Sequence, residues 1–436
     1  MKKLKTVITI LIILGSYSSL TARDLSLKEA LKLAAEHSFI LKKVKAQGEA
    51  SRTELTAATA ERLPTLSLGA GSYYISEVPT FTIELPAGNS LTRDFGTSET
   101  YQADIRLSLP LFTGGKISGG IDLAKAGVAY SRALERIETD YLHYLTRLKY
   151  FNLYRADLLA AIARISLKRT GIILDDINSL FEAGAADSVD LLDARLALTR
   201  AGYAVTQAKT FRKTAEIELS TLLGLNFTDS LALTTQLTDP EPLAKMEEFH
   251  EDKAELMLSR ANISLYQSRL KLARADYFPM LSVYTGYSYG KPNLDRFNNT
   301  WNDYYTIGAN LSWSFNIGGK HINKVRAAHY NLSSARHEYD RVLENLNQQL
   351  AVAREYVKNA YEKYLSAREE NRITENNYRL AAERHRQGVL ASNRLLEIET
   401  TLTASQSSLA ATLVDYHIAL SNYYYISGST RLSEGN

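Results

Sequence analysis

The sequence predicts an α+β membrane protein in which each chain gives four strands to a β-barrel shared between copies, continued by long coiled-coil helices. Three observations carry that expectation. A strand-to-helix junction occurs twice, as Leu107-Ser-Leu-Pro-Leu-Phe-Thr-Gly-Gly-Lys116 and as Leu311-Ser-Trp-Ser-Phe-Asn-Ile-Gly-Gly-Lys320. Each junction opens a long proline-free stretch, 116–182 and 320–386, and in the first of these apolar residues recur at alternating steps of three and four. The longest apolar run, Val7 to Leu14, is too short to cross a bilayer, so a membrane role falls to amphipathic strands.

That run lies behind Met1-Lys-Lys-Leu-Lys5 and ahead of small and polar residues ending at Ala22, the pattern of a secretory signal over 1–22. Removing its three lysines takes the formal charge from +3 to zero, which disfavours a nucleic-acid partner held by phosphate attraction. The first repeat is expected over 23–224. Ser26-Leu-Lys-Glu29 is a capping box that starts a helix over 26–62, closed by Pro64. Strands follow over 65–75 and 98–112, separated by a loop rich in proline, glycine and asparagine. In the second strand Tyr101, Ala103, Ile105, Leu107 and Leu109 alternate with Gln102, Asp104, Arg106 and Ser108, giving two different faces. Gly114 and Gly115 then permit a sharp change of direction into a long helix over 116–182. A helix over 188–224 ends the repeat, and 225–247 reads as a linker with one short strand near Leu231.

The same programme restarts over 248–436: a helix over 248–277 closed by Pro279, strands over 280–289 and 304–315, Gly318 and Gly319, a long helix over 320–386 and a helix over 392–428. Gly184 and Gly388 stand in register, as do Gly224 and Gly428, an internal two-fold repeat at a constant offset. Four strands cannot close on themselves, and an open edge in lipid leaves backbone groups unpaired at several kcal/mol each. The barrel must therefore be shared, and a water-filled lumen favours three or more chains. The 27 tyrosines, several of them on the strands, suit aromatic girdles at bilayer interfaces.

No chemistry of an enzyme is evident. Lys116 and Lys320 follow paired glycines without the spacing or the Ser/Thr of a phosphate loop. His321, His329 and His337 recur every eight residues, about 12 Å apart on a helix, too far to share a metal. The chain has no cysteine, so disulfides, thiolate metal sites and an acylated N-terminal cysteine are excluded. No cofactor and no metal are expected.

The chain resembles the TolC family of outer-membrane efflux and secretion channels. The resemblance rests on Leu25-Ser-Leu-Lys-Glu-Ala-Leu-Lys-Leu-Ala34, on the helix–Pro junctions at Pro64 and Pro279, on the Gly-Gly strand exits, and on Phe181-Glu-Ala-Gly184 followed by Asp190-Leu-Leu-Asp-Ala194. It implies a homotrimer with a twelve-stranded barrel in outer-membrane lipid and an α-helical tunnel across the periplasm. It also implies a passive conduit of a tripartite efflux pump, with a periplasmic adaptor protein and an inner-membrane pump as partners. The exit duct of a type I protein-secretion system is an alternative on the same fold, and a soluble periplasmic coiled-coil scaffold is one of a different class. Asp187 and Arg394 depart from the family's usual residues at those positions.

Three groups of residues are candidates for function. Pro64, Gly114, Gly115, Pro279, Gly318 and Gly319 form the barrel–helix junctions. Gly184, Ala185, Ala186, Gly388, Val389 and Leu390 form turns at helix ends, where small or apolar groups could receive the adaptor. Aligning the repeats sets Asp175 against Arg379, Glu182 against Arg386 and Asp190 against Arg394, which in a three-fold assembly would alternate acid and base as a periplasmic gate.

Overall fold

The computed structural model describes residues 23–86, 88–227, 230–242 and 252–434; the expected signal segment lies outside them. In chain order the elements are β1 (Arg23–Leu25), α1 (Leu27–His37), α2 (Phe39–Ala60), β2 (Thr65–Tyr74), β3 (Thr80–Glu84), β4 (Ser90–Asp94) and β5 (Glu99–Phe112). Then come α3 (Lys116–Glu182), α4 (Ser188–Leu223), β6 (Leu231–Leu233), α5 (Ala254–Ala275), β7 (Met280–Lys291) and β8 (Asn302–Ser312). Last are α6 (Lys320–Arg386), α7 (Ser392–Ser427) and a 3-10 turn over Thr430–Ser433. The chain divides into a sheet unit, Lys42–Ile137 with Glu251–Asn345, and a hairpin unit, Met1–Leu41 with Glu138–His250 and Leu346–Asn436. No helix among the described residues is long and apolar enough to cross a membrane.

In the sheet unit four strands pair antiparallel in the order β2-β5-β7-β8. Leu68 lies opposite Ile105, Ile105 opposite Tyr287 and Tyr287 opposite Tyr305, so one face is apolar and aromatic. The other carries Ser67, Arg106, Gly286 and Thr306 in one row. The strand expected over 304–315 runs instead from Asn302 to Ser312. Its ladder partner begins at Met280, which pairs with Ser312, so residues beyond it have no strand to bond. There the Trp313 indole donates to the Tyr277 carbonyl at 3.2 Å, and Asn316 Oδ1 caps the amide of Lys320 at 3.1 Å. The strand expected over 280–289 extends to Lys291 because Tyr101 of β5 still pairs with that residue. The stretch between β2 and β5, expected as plain loop, contains the hairpin β3-β4; Gly88 sits at φ +82 in its turn, and Thr82 and Thr92 share a hydrogen bond of 3.0 Å across it. The helix expected over 248–277 is described only over 254–275, residues 248–251 lying outside the described set.

In the hairpin unit the helix expected over 26–62 breaks at Ser38. This residue leaves the helical conformation at ψ 114, its amide still donates to Ala34 O, and its hydroxyl caps the Leu41 amide at 3.2 Å. A hydroxyl that offers the backbone a local acceptor is what ends one helix and starts another. β1 and β6 form a two-stranded parallel sheet, fastened by the buried Tyr150: its phenol donates to Leu25 O at 3.0 Å and accepts from the Thr235 amide at 3.3 Å. Ion pairs and shared apolar cores link the four long helices, and α4 also packs directly on α7 through Leu191, Ala194, Leu395 and Ile398. Arg212–Asp157 (2.6 Å) joins α4 to α3, Arg169–Glu399 (3.1 Å) joins α3 to α7, and a core of Leu350, Ala353, Val357, Tyr416 and Tyr423 joins α6 to α7. Glu216, 2% exposed, accepts from the Leu231 amide at 2.8 Å and pairs with Arg212 and Lys213, so β6 is tied to α4. The buried Arg147 guanidinium donates to the carbonyls of Leu432, Arg431 and Glu434, which holds the 3-10 turn against α3.

Candidate functional site

The two helix-end turns are built alike in backbone and differently in side chains. Gly184 at φ +72 and Gly388 at φ +75 take the left-handed conformation that ends a helix, and the next amide reaches back to the carbonyl of Leu180 in one turn and of Arg384 in the other. In the first turn Asp187 caps α4, accepting from the amides of Val189 (2.8 Å) and Asp190 (2.9 Å). In the second the cap residue is Ala391, with no side-chain bond, and the turn is held instead by the buried His385, whose Nδ1 lies 3.0 Å from Leu390 O. Beneath both, Ile173, Ile177, Leu191, Ala194, Leu395 and Ile398 form one apolar core. Leu390 packs onto that core, so this member of the expected docking group is turned inward; Val389 is 75% exposed, and Gly184, Ala185 and Gly388 are exposed too.

The six expected gate charges are not joined to one another within the chain. Arg386 pairs with Glu383 at 2.8 Å and Arg394 with Glu397, each on its own helix. Glu182 accepts from Asn178, Arg379 donates to Asn376, and Asp190 bonds through its amide to Asp187. Asp175 is bonded through its backbone carbonyl to the hydroxyl of Ser179.

Sequence reasoning missed the buried network one step below the turns. Glu399, 4% exposed, accepts from Ser166 Oγ (2.9 Å), from Arg169 Nε (3.1 Å) and from Thr403 Oγ1 (2.9 Å). Arg169 also donates to Thr403 and Gln406 and lies over the Tyr378 ring at 5.6 Å, so α3, α6 and α7 meet in one polar knot. Burial pushes the Tyr378 phenol above its ordinary value, Arg169 opposing. The available signal was an acid four residues after Leu395 on the apolar stripe of α7.

At the strand exits the paired glycines are not equivalent. Gly114 (φ +63) and Gly115 (φ +91) are both left-handed, whereas in the second exit only Gly319 (φ +76) is. A Cβ on Gly114 would stand 2.6 Å from Phe278 Cβ and 2.8 Å from Ala275 O, while one on Gly318 would meet nothing nearer than Asn316 Oδ1 at 3.4 Å. Pro64 and Pro279 each directly precede the first residue of a strand, Thr65 and Met280. Among the described residues no group of three His, Asp or Glu side chains could hold a metal ion.

The family model described as outer membrane efflux protein matches residues 30–225 and 247–429. No curated protein matches the chain. Solved structures share the fold at low identity. The outer-membrane channel OprN is 18% identical with a TM-score of 0.76, covering 93% of this chain and 90% of its own. The CmeC outer membrane channel of Campylobacter jejuni is 17% identical with a TM-score of 0.75, covering 92% and 85%. The open state of the Neisseria gonorrhoeae MtrE outer membrane channel is 17% identical with a TM-score of 0.73, covering 92% and 89%.

Proposed function

The chain belongs to the outer membrane efflux protein family, and from that premise we propose that three copies form one channel, a twelve-stranded barrel continued by a periplasmic helical tunnel. It would serve as the passive conduit of a tripartite pump, taking small molecules from an inner-membrane pump through an adaptor protein to the exterior. The observation that carries this reading is the pair of bare edges on the sheet. β2 and β8 each pair on one side only, and β2 contains no lysine, proline or charge of the kind that guards a free edge. Two different edges on one sheet invite a head-to-tail contact, the kind from which closed rings are built. Two copies would fill the interior with side chains, and three leave a lumen. The helices agree, because large apolar groups stand exposed on a single chain: Ile165 and Ile172 on α3, Leu192 and Tyr203 on α4, Tyr356 and Leu380 on α6. A soluble scaffold would leave Leu66, Leu68, Ile105, Ile307 and Leu311 bare to water.

The turns at Gly184 and Gly388 are the proposed adaptor docking points. Ala185→Trp and Val389→Trp are expected to lower export at least tenfold, read as sensitivity of whole cells to a pump substrate, while a three-chain particle is still extracted from the outer membrane by detergent. Full export from both variants overturns the docking assignment. A single-chain particle released without detergent overturns the channel.

The gate reading concerns contacts between hairpins of different copies. Each exposed acid–base pair contributes only about 0.2 to 1 kcal/mol, but a ring repeats every pair. Glu383 and Glu397 compete for Arg386 and Arg394 within the chain, so the ring must draw these arginines away from them. Glu182→Arg or Arg386→Glu alone is expected to raise resting conductance in planar bilayers, and the double swap to restore a quiet pore. Equal conductance in parent and single variants removes the charge ring as a latch.

A further inference from the structure

The polar face of the sheet carries two charges from one strand, and they point apart. Asp104 and Arg106 are neighbours on the same face of β5, about 7 Å apart along the strand, yet they form no ion pair. Asp104 Oδ1 accepts from Gln102 Nε2 at 2.9 Å, toward the loop end of the strand, and Gln102 is braced by Ser288 Oγ at 3.4 Å. Arg106 leans the other way, its guanidinium 5.4 Å from the centre of the Tyr284 ring; Tyr284 lies opposite Ser108, nearer the exit to α3. Among the described residues the guanidinium has no carboxylate partner.

Glycines make this arrangement possible. Gly308 lies opposite Tyr284, and a Cβ there would come within 2.7 Å of the phenol oxygen, so the ring lies down over bare backbone. Gly286 stands directly beside Arg106 on β7, and Ser67 beside it on β2, so no large neighbour shields the charge. A cation near the middle of a strand whose other face is Ile105 and Leu107 is expensive unless it meets water, and an ionisable group held at that depth points to a functional site. Had the arginine served only the sheet, Asp104 two residues away would be expected to pair with it rather than with Gln102.

We propose that Arg106, backed by the Tyr284 ring, is a contact site on the water side of the barrel for anionic aromatic solutes, carboxylates or sulfonates, with Asp104 forming a separate acidic layer nearer the loops. A guanidinium binds such a group through its forked donors, and its plane, backed by the Tyr284 ring, can stack on the solute's own ring. The proposal rests on the barrel reading above. Cargo moving outward meets the cationic layer first.

The absence of cysteine makes a single introduced thiol readable. Ser67→Cys places one opposite Arg106 on the same face, and Ile105→Cys places one on the other face. The probes are the anionic sulfonatoethyl and the cationic trimethylammonioethyl methanethiosulfonates, added to intact cells. Ser67→Cys is expected to react and Ile105→Cys to stay silent. Adding Arg106→Gln should lower the anionic-to-cationic rate ratio at Ser67→Cys about three-fold or more, and adding Asp104→Asn should raise it by less, both effects shrinking in high salt. A ratio unmoved by Arg106→Gln, with Ser67→Cys reactive, overturns the anion site and leaves the barrel standing. A silent Ser67→Cys overturns the water-facing assignment of this side of the sheet, and the site with it.

Discussion

Gly114→Ala is expected to destabilise each chain by about 2 to 5 kcal/mol, combining the left-handed backbone with a forced close approach. The alanine Cβ would press on Phe278 and on the carbonyl of Ala275, neither of which is the free end of a flexible side chain. Gly318→Ala, the same change at the matching exit, is expected to stay within about 1 kcal/mol, because its backbone is not left-handed and its nearest neighbour is 3.4 Å away. Thermal unfolding of the detergent-extracted protein and its yield in the outer membrane measure both. Equal losses in the two variants, or none in Gly114→Ala, overturn the distinction.

This asymmetry marks where the sequence could be read and where it could not. The paired glycines announce two exits in the sequence, but the close approach of Ala275 and Phe278 to Gly114 is a contact across the chain that the glycine pair does not reveal. The long helices over 116–182 and 320–386 were legible because spacing and the lack of proline act locally. The break at Ser38 was hidden, since one hydroxyl looks the same inside a helix and at its start. The hairpin β3-β4 was hidden by Pro79, Pro86 and Gly88, which flank and turn its two short strands. At the helix ends the glycine turns could be read, whereas the inward setting of Leu390 and the knot at Glu399 depend on packing between helices far apart in sequence.

Glu399→Ala is expected to lower stability by about 2 to 4 kcal/mol, because it takes the carboxylate from a half-buried guanidinium and from two hydroxyls that bond the same carboxylate oxygen. The double change Arg169→Met with Glu399→Leu removes both charges and should recover most of the loss. Chemical denaturation of the extracted protein reads the difference. A single variant as stable as the parent, or a double variant worse than the single, would mean that the ion pair does not hold α3 to α7.

The two open edges of the sheet, β2 and β8, bear on how the ring proposed above would assemble. In that scheme a lone protomer offers two strand templates, and joining a second copy would hide one edge of each while leaving the pair with two still open. Only ring closure would remove the last of them, so each intermediate of that scheme would still carry two open edges. On that scheme unassembled subunits would need their strand edges covered, and overproduction is expected to yield aggregates rather than surplus monomer.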